Sequence, residues 1–384
     1  MPTSADVLNF ATQKLIPKWT EQFFQFHPVL DKIVLRGNIE KAHTGAPYLE
    51  FPVVTQGPGA VTRIETGSEV YSSTRRTVGT RGRLYCPRMI YSYIIPGKDL
   101  AEASGETAIA RLLKVYPEAA MMEFHEMIVN QMVNGNGSSD NVQGFMTLNG
   151  DTTYDTGSGL TESGVMEYNA TTSQTNTVFN IVKEGGTGGA TGWYNQYRTL
   201  DGNDFTGNGL GRKMMREVYW EGSMQGKAGG PVDLMLGDIV SYNNYYDDLD
   251  EQVRFATSFQ GEKGRPVRQG LLFQEAEFYV EPALDTGLTV FGNTESGAGS
   301  TSEYHPREGD VSRGLIYFLK TDTWHMYTQG ENSNLETKGD FAVRGPTKVP
   351  GQDAWEWEVV LGMQLYCDRL NANGVVTGTA VIPS

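Results

Sequence analysis

The chain has 384 residues, a formal net charge of -15, a pI near 4.8, 39 % hydrophobic residues and a mean hydropathy of -0.39. So acidic a balance argues against a protein whose whole surface grips nucleic acid, because phosphate contacts need a basic face. Sixteen Phe, 19 Tyr and 6 Trp are too many for a disordered chain, and two cysteines are too few for a disulfide scaffold. The start, MPTSADVLNF, has no basic segment leading into an apolar run, and no stretch approaches the ~20 apolar residues of a membrane span. A soluble protein made in a reducing cytoplasm is expected.

The first segment, ADVLNFATQKLIPKWTEQFFQFHPVLDKIVLRGN, reads as short helical pieces interrupted by Pro17 and Pro28. From Tyr48 the period changes to two, with Leu49, Phe51 and Val53 alternating against Glu50 and Pro52. After the turn cluster Gln56-Gly57-Pro58-Gly59 the chain reaches RLYCPRMIYSYII, a second strand in which Pro87 demands an edge or a bulge. Residues 48–95 therefore read as a long β-hairpin projecting from a body. It holds six arginines and three glutamates, and no lysine occurs between Lys41 and Lys98. A positive limb on a strongly negative chain asks for a partner.

Beyond Pro96-Gly97 a helical pattern runs to about Tyr116, and a longer helix is expected over Pro117–Val133. Ala120, Phe124, Met127, Ile128 and Gln131 share one of its faces, and Asn134-Gly135 forms its stop. Residues 135–210 turn rich in Gly, Thr, Asn, Ser and Asp, with GFMTL and TVFNIV as possible strands. Next come a helix, GLGRKMMREVYWEGSMQ, with Met214, Met215, Val218 and Tyr219 for packing, and a short apolar strand in PVDLMLGDIV. A further helix begins in SYNNYYDDLDEQVRF, striped by Tyr242, Tyr245, Tyr246 and Leu249. Strand-like pieces close the chain: LLFQEAEFYVEPAL, GLTVFGN, GLIYFLKTDTWHMYT and WEWEVVLGMQLYCDRLNANGVVTG. The fold class is α+β, leaning toward β.

Catalytic constellations are near misses. EGSMQGKAGG imitates a phosphate loop, but Gly222 stands one residue too close to Gly226-Lys227, and Ala228 replaces the hydroxyl that holds Mg²⁺. In KEGGTGGATG the third glycine of a dinucleotide fingerprint is misplaced at Gly192. The five histidines show no ligand spacing, His125 in EFHE reading as part of a surface ion pair, and no serine sits in a GxSxG elbow. DGNDFTGNG and DDLDE are acidic without the spacing of a calcium loop. No catalytic, cofactor or metal site is expected.

The order of pieces resembles the major capsid proteins of tailed bacteriophages with the Hong Kong 97-type coat fold. The strongest local matches are Val133-Asn134-Gly135-Asn136-Gly137 with Gln143-Gly144-Phe145, and the block Val232–Leu249. The resemblance implies an N-arm over 1–45, an extended E-loop over 46–96, and a first part of the peripheral domain over 97–210, with 146–210 as an inserted surface region. It further implies an axial domain over 211–350 and C-terminal strands, 351–384, returning to the peripheral domain. It implies self-assembly into pentamers and hexamers of an icosahedral shell around double-stranded DNA, built in the host bacterial cytoplasm. A separate scaffolding protein, a portal, an optional decoration protein and non-specific contact with packaged DNA are the implied partners, with no membrane. Some relatives cross-link through a lysine on the extended loop, and the lysine-free stretch 48–95 departs from that pattern.

On this reading the limb lies over an identical subunit. Arginine suits the task because its planar fork bonds carboxylates bidentately and stays charged. The candidate contact residues are Arg63, Arg75, Arg76, Arg81 and Arg83. A hairpin edge guarded by charge against aggregation is the plainer reading of the same residues, and a DNA-binding arm is the third. An encapsulin-like compartment shell shares the expected fold. A β-rich carbohydrate-binding protein or hydrolase is the rival of another class, with Trp193, Trp220, Trp324, Trp355 and Trp357 as sugar platforms.

Overall fold

The period-two stretch at Tyr48 is a strand, and its partner is set by where the chain breaks at Cys86-Pro87. The computed structural model describes residues 39–41, 48–54, 79–98, 119, 123–135, 142–145, 148, 177–183, 192–199, 210–225, 230–248, 271–285, 315–328 and 342–377. In chain order the strands begin with β1 (Ile39–Lys41), β2 (Tyr48–Val54), β3 (Gly79–Tyr85) and β4 (Arg88–Pro96), followed by helix α1 (123–134). Then come β5 (Thr177–Val178), β6 (Ile181–Val182), β7 (Gln196–Thr199), α2 (Leu210–Gln225), β8 (Leu234–Gly237) and α3 (Ile239–Asp248). The remaining strands are β9 (Leu271–Phe273), β10 (Ala276–Val280), β11 (Leu315–Leu319), β12 (Trp324–Thr328), β13 (Ala342–Lys348), β14 (Ala354–Cys367) and β15 (Gly374–Thr377). They form two compact units, and the chain passes between them at 49/50, 83/84, 144/145, 323/324 and 366/367.

The first unit is organised by the fourteen-residue β14, which pairs antiparallel with β4 over Ala354–Gly362 and with β13 over Trp355–Val360. From Val359 to Cys367 every residue is buried, so both faces of this half of the strand are covered. In its first half Trp357, Val359 and Leu361 are buried, while Trp355 is only half-buried. Tyr93 of β4 stacks on Trp357 with ring centroids 5.6 Å apart. β1 runs parallel to β12 in the same five-stranded sheet. Helix α1 buries Phe124, Met127, Ile128 and Gln131, as its spacing requires. The Tyr91 hydroxyl of β4 donates to Glu123 at the start of that helix, and this hydrogen bond, more than burial, pushes the phenol up to about 12.

Gly135 and Gly144 mark a close crossing of backbones. A Cβ on Gly135 would strike the carbonyls of Val142 and Gln131, and one on Gly144 those of Met132 and Gln131. The Gly144 amide donates to the Gly135 carbonyl (2.9 Å), and the Val142 amide to Oε1 of Gln131 (3.2 Å), so the returning chain caps the helix end. Of GFMTL, read as a possible strand, no described residue lies in one. The described residues Gly144, Phe145 and Leu148 are buried but not extended in a ladder, because the Gly144 amide is spent on the helix terminus.

The second unit is built on a six-stranded sheet of order β7-β15-β11-β8-β10-β9. Central β8 and β11 are buried at every residue, β8 lying parallel to β10 and antiparallel to β11. Helices α2 and α3 cover one face. Met215, Val218 and Tyr219 of α2 and Tyr245 of α3 meet Phe273, Phe278, Ile316 and Phe318 in one core, with Met214 and Tyr242 packed against it. Tyr246, expected on the same stripe, is exposed, since it falls on the flank of α3. Asp238 starts that helix: Oδ1 accepts the Ser241 amide (2.7 Å), and Oδ2 accepts the Ser241 hydroxyl (2.6 Å) and the Leu315 amide (2.9 Å). Burial pushes its carboxyl above the ordinary range against the pull of these donors.

Four of the strand-like pieces are divided, GLIYFLKTDTWHMYT giving β11 to the six-stranded sheet and β12 to the five-stranded one. TVFNIV folds back on itself at Phe179-Asn180, and LLFQEAEFYV turns at Gln274-Glu275. WEWEVVLGMQLYCDRLNANGVVTG leaves β14 in the first unit, passes a short 3-10 turn at Leu370–Ala372 and enters the six-stranded sheet as β15. GLTVFGN and the N-terminal helical pieces up to residue 38 lie outside the described residues.

Candidate functional site

The arginine-bearing limb was expected as one hairpin over residues 48–95, and the structure shortens it. Strand β2 pairs with β3, while β4 belongs to the five-stranded sheet of the first unit. Pro87 has no amide to donate, so the ladder ends there and the chain changes partners. The hairpin's foot is thus Tyr48–Val54 against Gly79–Tyr85, and residues 55–78 lie outside the described residues.

Alternation divides the foot into two faces. Phe51, Val53, Gly82 and Leu84 point inward; Glu50, Pro52, Arg81, Arg83 and Tyr85 point outward. On the outer face Arg83 Nη2 donates to Glu50 Oε1 at 2.8 Å, and Arg81 Nη1 stands 3.7 Å from Oε2 of the same carboxylate. Two guanidinium groups share one glutamate. The Arg81 side chain keeps 81 % of its surface exposed and Arg83 45 %, so the foot retains a positive outer face. An exposed cross-strand pair of this kind contributes ~0.2–1 kcal/mol.

On the inner face the foot is seated. The Arg83 amide donates to the Phe179 carbonyl (3.2 Å), and the Phe51 ring meets the Phe179 ring edge to face at 5.9 Å. Phe179 in turn sets its edge toward Trp193. Phe179 and Asn180 both have positive φ, 54° and 63°. Two left-handed residues in a row match the sense of twist of a tight hairpin, and for Phe that backbone is strained. Burial of the ring between Phe51 and Trp193 holds it there. Gly82 lets the strand approach: a Cβ on it would overlap the Phe51 ring.

Of the five candidate arginines, Arg81 and Arg83 are brought together on this outer face, and Arg63, Arg75 and Arg76 lie outside the described residues. Sequence reasoning missed the roles of Glu50 and Phe179. Glu50 is the acid of β2, but the 24 residues between the strands hide which arginine it faces. Nothing in the sequence links Phe179 to Phe51, 128 positions earlier.

Elsewhere the sugar-platform arrangement does not form. Trp193, Trp324 and Trp357 are fully buried, Trp355 is half-buried, and Trp220 alone of the five stands exposed. Among the described residues no group of three or more His, Cys, Asp or Glu is placed to hold a metal ion. Asp248, in the acidic DDLDE stretch, forms an ion pair with Arg212 at 2.6 Å; DGNDFTGNG lies outside the described residues. Burial pushes the thiols of Cys86, to about 12, and Cys367 well above the ordinary range, the opposite of what a nucleophile needs. No helix among the described residues is long and apolar enough to cross a membrane.

No protein-family model and no curated protein matches the sequence. In three dimensions the chain is similar to the Cyanophage A-1(L) capsid asymmetric unit, with a TM-score of 0.56 and 11 % identity over 91 % of this chain and 92 % of that one. It is also similar to a Mycobacterium phage Bobi structure, at TM-score 0.45 and 12 % identity over 92 % and 91 %. A third similar structure is the holo-SrpI encapsulin complex from Synechococcus elongatus, at TM-score 0.44 and 9 % identity over 94 % and 91 %.

Proposed function

We propose that this chain, which has the Hong Kong 97-type coat fold of tailed-bacteriophage major capsid proteins, is a major capsid protein that assembles through pentamers and hexamers into an icosahedral shell enclosing double-stranded DNA. The observation that carries the reading is the likeness to a phage capsid subunit over nine-tenths of both chains. The hairpin foot supports it. A limb seated by its inner face, with an outer face richer in arginine than in acid, suits contact with a second acidic copy of the same chain. Arg63, Arg75, Arg76, Arg81 and Arg83 are the proposed contacts.

In this reading 1–45 is an N-arm and the peripheral and axial domains follow the two compact units, so that β12 and β13 go with the first and β7 and β15 with the second, rather than the segment bounds 97–210, 211–350 and 351–384. A separate scaffold and a portal accompany assembly in the host cytoplasm, a decoration protein is an optional partner, and the packaged DNA is touched without sequence preference. The burial of Trp193, Trp324 and Trp357 takes three of the five tryptophans away from a sugar-stacking role.

Electron microscopy of the expressed protein tests the proposal. Uniform closed particles that take up DNA when the packaging partners are supplied are expected. Particles filled instead with an enzyme would make it a cellular compartment shell. A small species that never assembles even with the scaffold supplied would refute the shell altogether.

A further inference from the structure

The helical layer of the second unit exposes two apolar groups on different sides. Arg216, Trp220 and Met224 follow one another at four-residue steps along the outer surface of α2, and Trp220 and Met224 leave 52 % and 78 % of their surface to solvent. On α3 the exposed apolar residues are Ile239, at 50 %, and Tyr246, at 39 %. Asp248 faces α2 through its bond to Arg212. At about 100° per residue, Ile239 and Tyr246 point to the flank of α3 turned away from α2. Trp, Tyr and Met are the side chains enriched at the centres of protein interfaces, and two unlike patches on one subunit fit a head-to-tail contact rather than a two-fold one.

The two patches also match in register and charge. On α2 the basic residue precedes the apolar end, Arg216 before Met224; on α3 the apolar residue precedes the acidic end, Ile239 before Asp247. Each pair is eight residues apart, or about 12 Å along a helix. Run antiparallel, the helices bring Met224 over Ile239 and Arg216 over Asp247, with Trp220 between. Among the described residues the Arg216 side chain is hydrogen-bonded only within its own helix, to the Arg212 carbonyl at 3.4 Å, and its charge remains outward.

We propose that the outer surface of α2 on one copy packs antiparallel against the far flank of α3 on the next, forming the head-to-tail contact that closes a ring. The inference rests on the shell reading for its partner, a second copy of this chain. It is tested in the full chain with Met224→Cys combined with Ile239→Cys, both at exposed positions where folding is undisturbed, under mild oxidation. A ladder of disulfide-linked species extending past the dimer is expected on a non-reducing gel, and none from either single variant. Arg216→Asp should thin that ladder by about tenfold, the equivalent of ~1.4 kcal/mol, and Asp247→Arg in the same chain should restore it. Closed particles without a ladder overturn this contact and leave the shell reading standing. A ladder without particles, with the scaffold supplied, upholds the contact and refutes the shell. Bands that stop at the dimer also overturn the proposal, since a two-fold contact gives no more.

Discussion

Lys183 is fully buried, and its Nζ lies 2.5 Å from Oδ1 of Asn195, whose amide nitrogen donates to the carbonyls of Leu148 (2.8 Å) and Gln196 (3.1 Å). Its partner is a neutral amide, so burial acts with nothing to oppose it and drags the amine from 10.5 down to about 7. Between those values the unfolded chain holds a proton that the folded chain has released, so stability rises with pH across that window and is lowest below it. The expected slope approaches ~1.4 kcal/mol per pH unit for this one group. Urea unfolding of unassembled subunits at pH 7, 8 and 9 checks it: the wild type should gain stability over the series. Lys183→Met, which removes the titrating amine, should make that contribution vanish. The same slope in both proteins would mean that the lysine keeps its proton.

The hairpin foot shows why an element is more than its pattern. Alternation in YLEFPVV correctly assigns Phe51 and Val53 to the inner face, but the seat they occupy is made of Phe179 and the close approach permitted by Gly82. Gly82→Ala pushes a methyl group into the Phe51 ring and should cost about 1–3 kcal/mol of subunit stability. A smaller, more adaptable side chain in the ring's place, Phe51→Leu, should recover part of that loss in the double variant. Independent, additive losses in a double-mutant cycle would show that the two positions do not meet. The foot also fixes what the arginines have to spare. One carboxylate stands opposite Arg81 and Arg83, so half the charge of the pair is left for a partner.

At the scale of the whole molecule, a chain of net charge -15 repels its own copies unless something local reverses the sign. The lysine-free stretch 48–95 is the place where it reverses. Arg75→Glu with Arg76→Glu should leave the far-ultraviolet circular dichroism and melting temperature of the subunit unchanged while cutting particle yield at least about tenfold, a loss of ~1.4 kcal/mol shared by two contacts. High salt should weaken wild-type assembly in the same direction, because at 1 M the Debye length falls to about 3 Å. Particle counts by light scattering read both effects. Full yield from the charge-reversed chain would assign these arginines to solvation alone.

Local periodicity was enough for the apolar faces of α1 and α2 and the interruption at Pro87, because each depends on neighbours within a few residues. The acid excess and the lysine-free limb were likewise plain in the residues themselves. What the chain's own order left open were the places where distant segments meet: Glu50 with Arg83, Phe51 with Phe179, and Gly135 beneath Val142. Those depend on loop lengths and strand partners that no local repeat encodes. β14 and β15, adjacent in sequence, enter different sheets for that reason. Sequence set which face of each element is apolar; only the packed structure decided what that face would cover, since burial is shared between surfaces and one strand cannot name its partner.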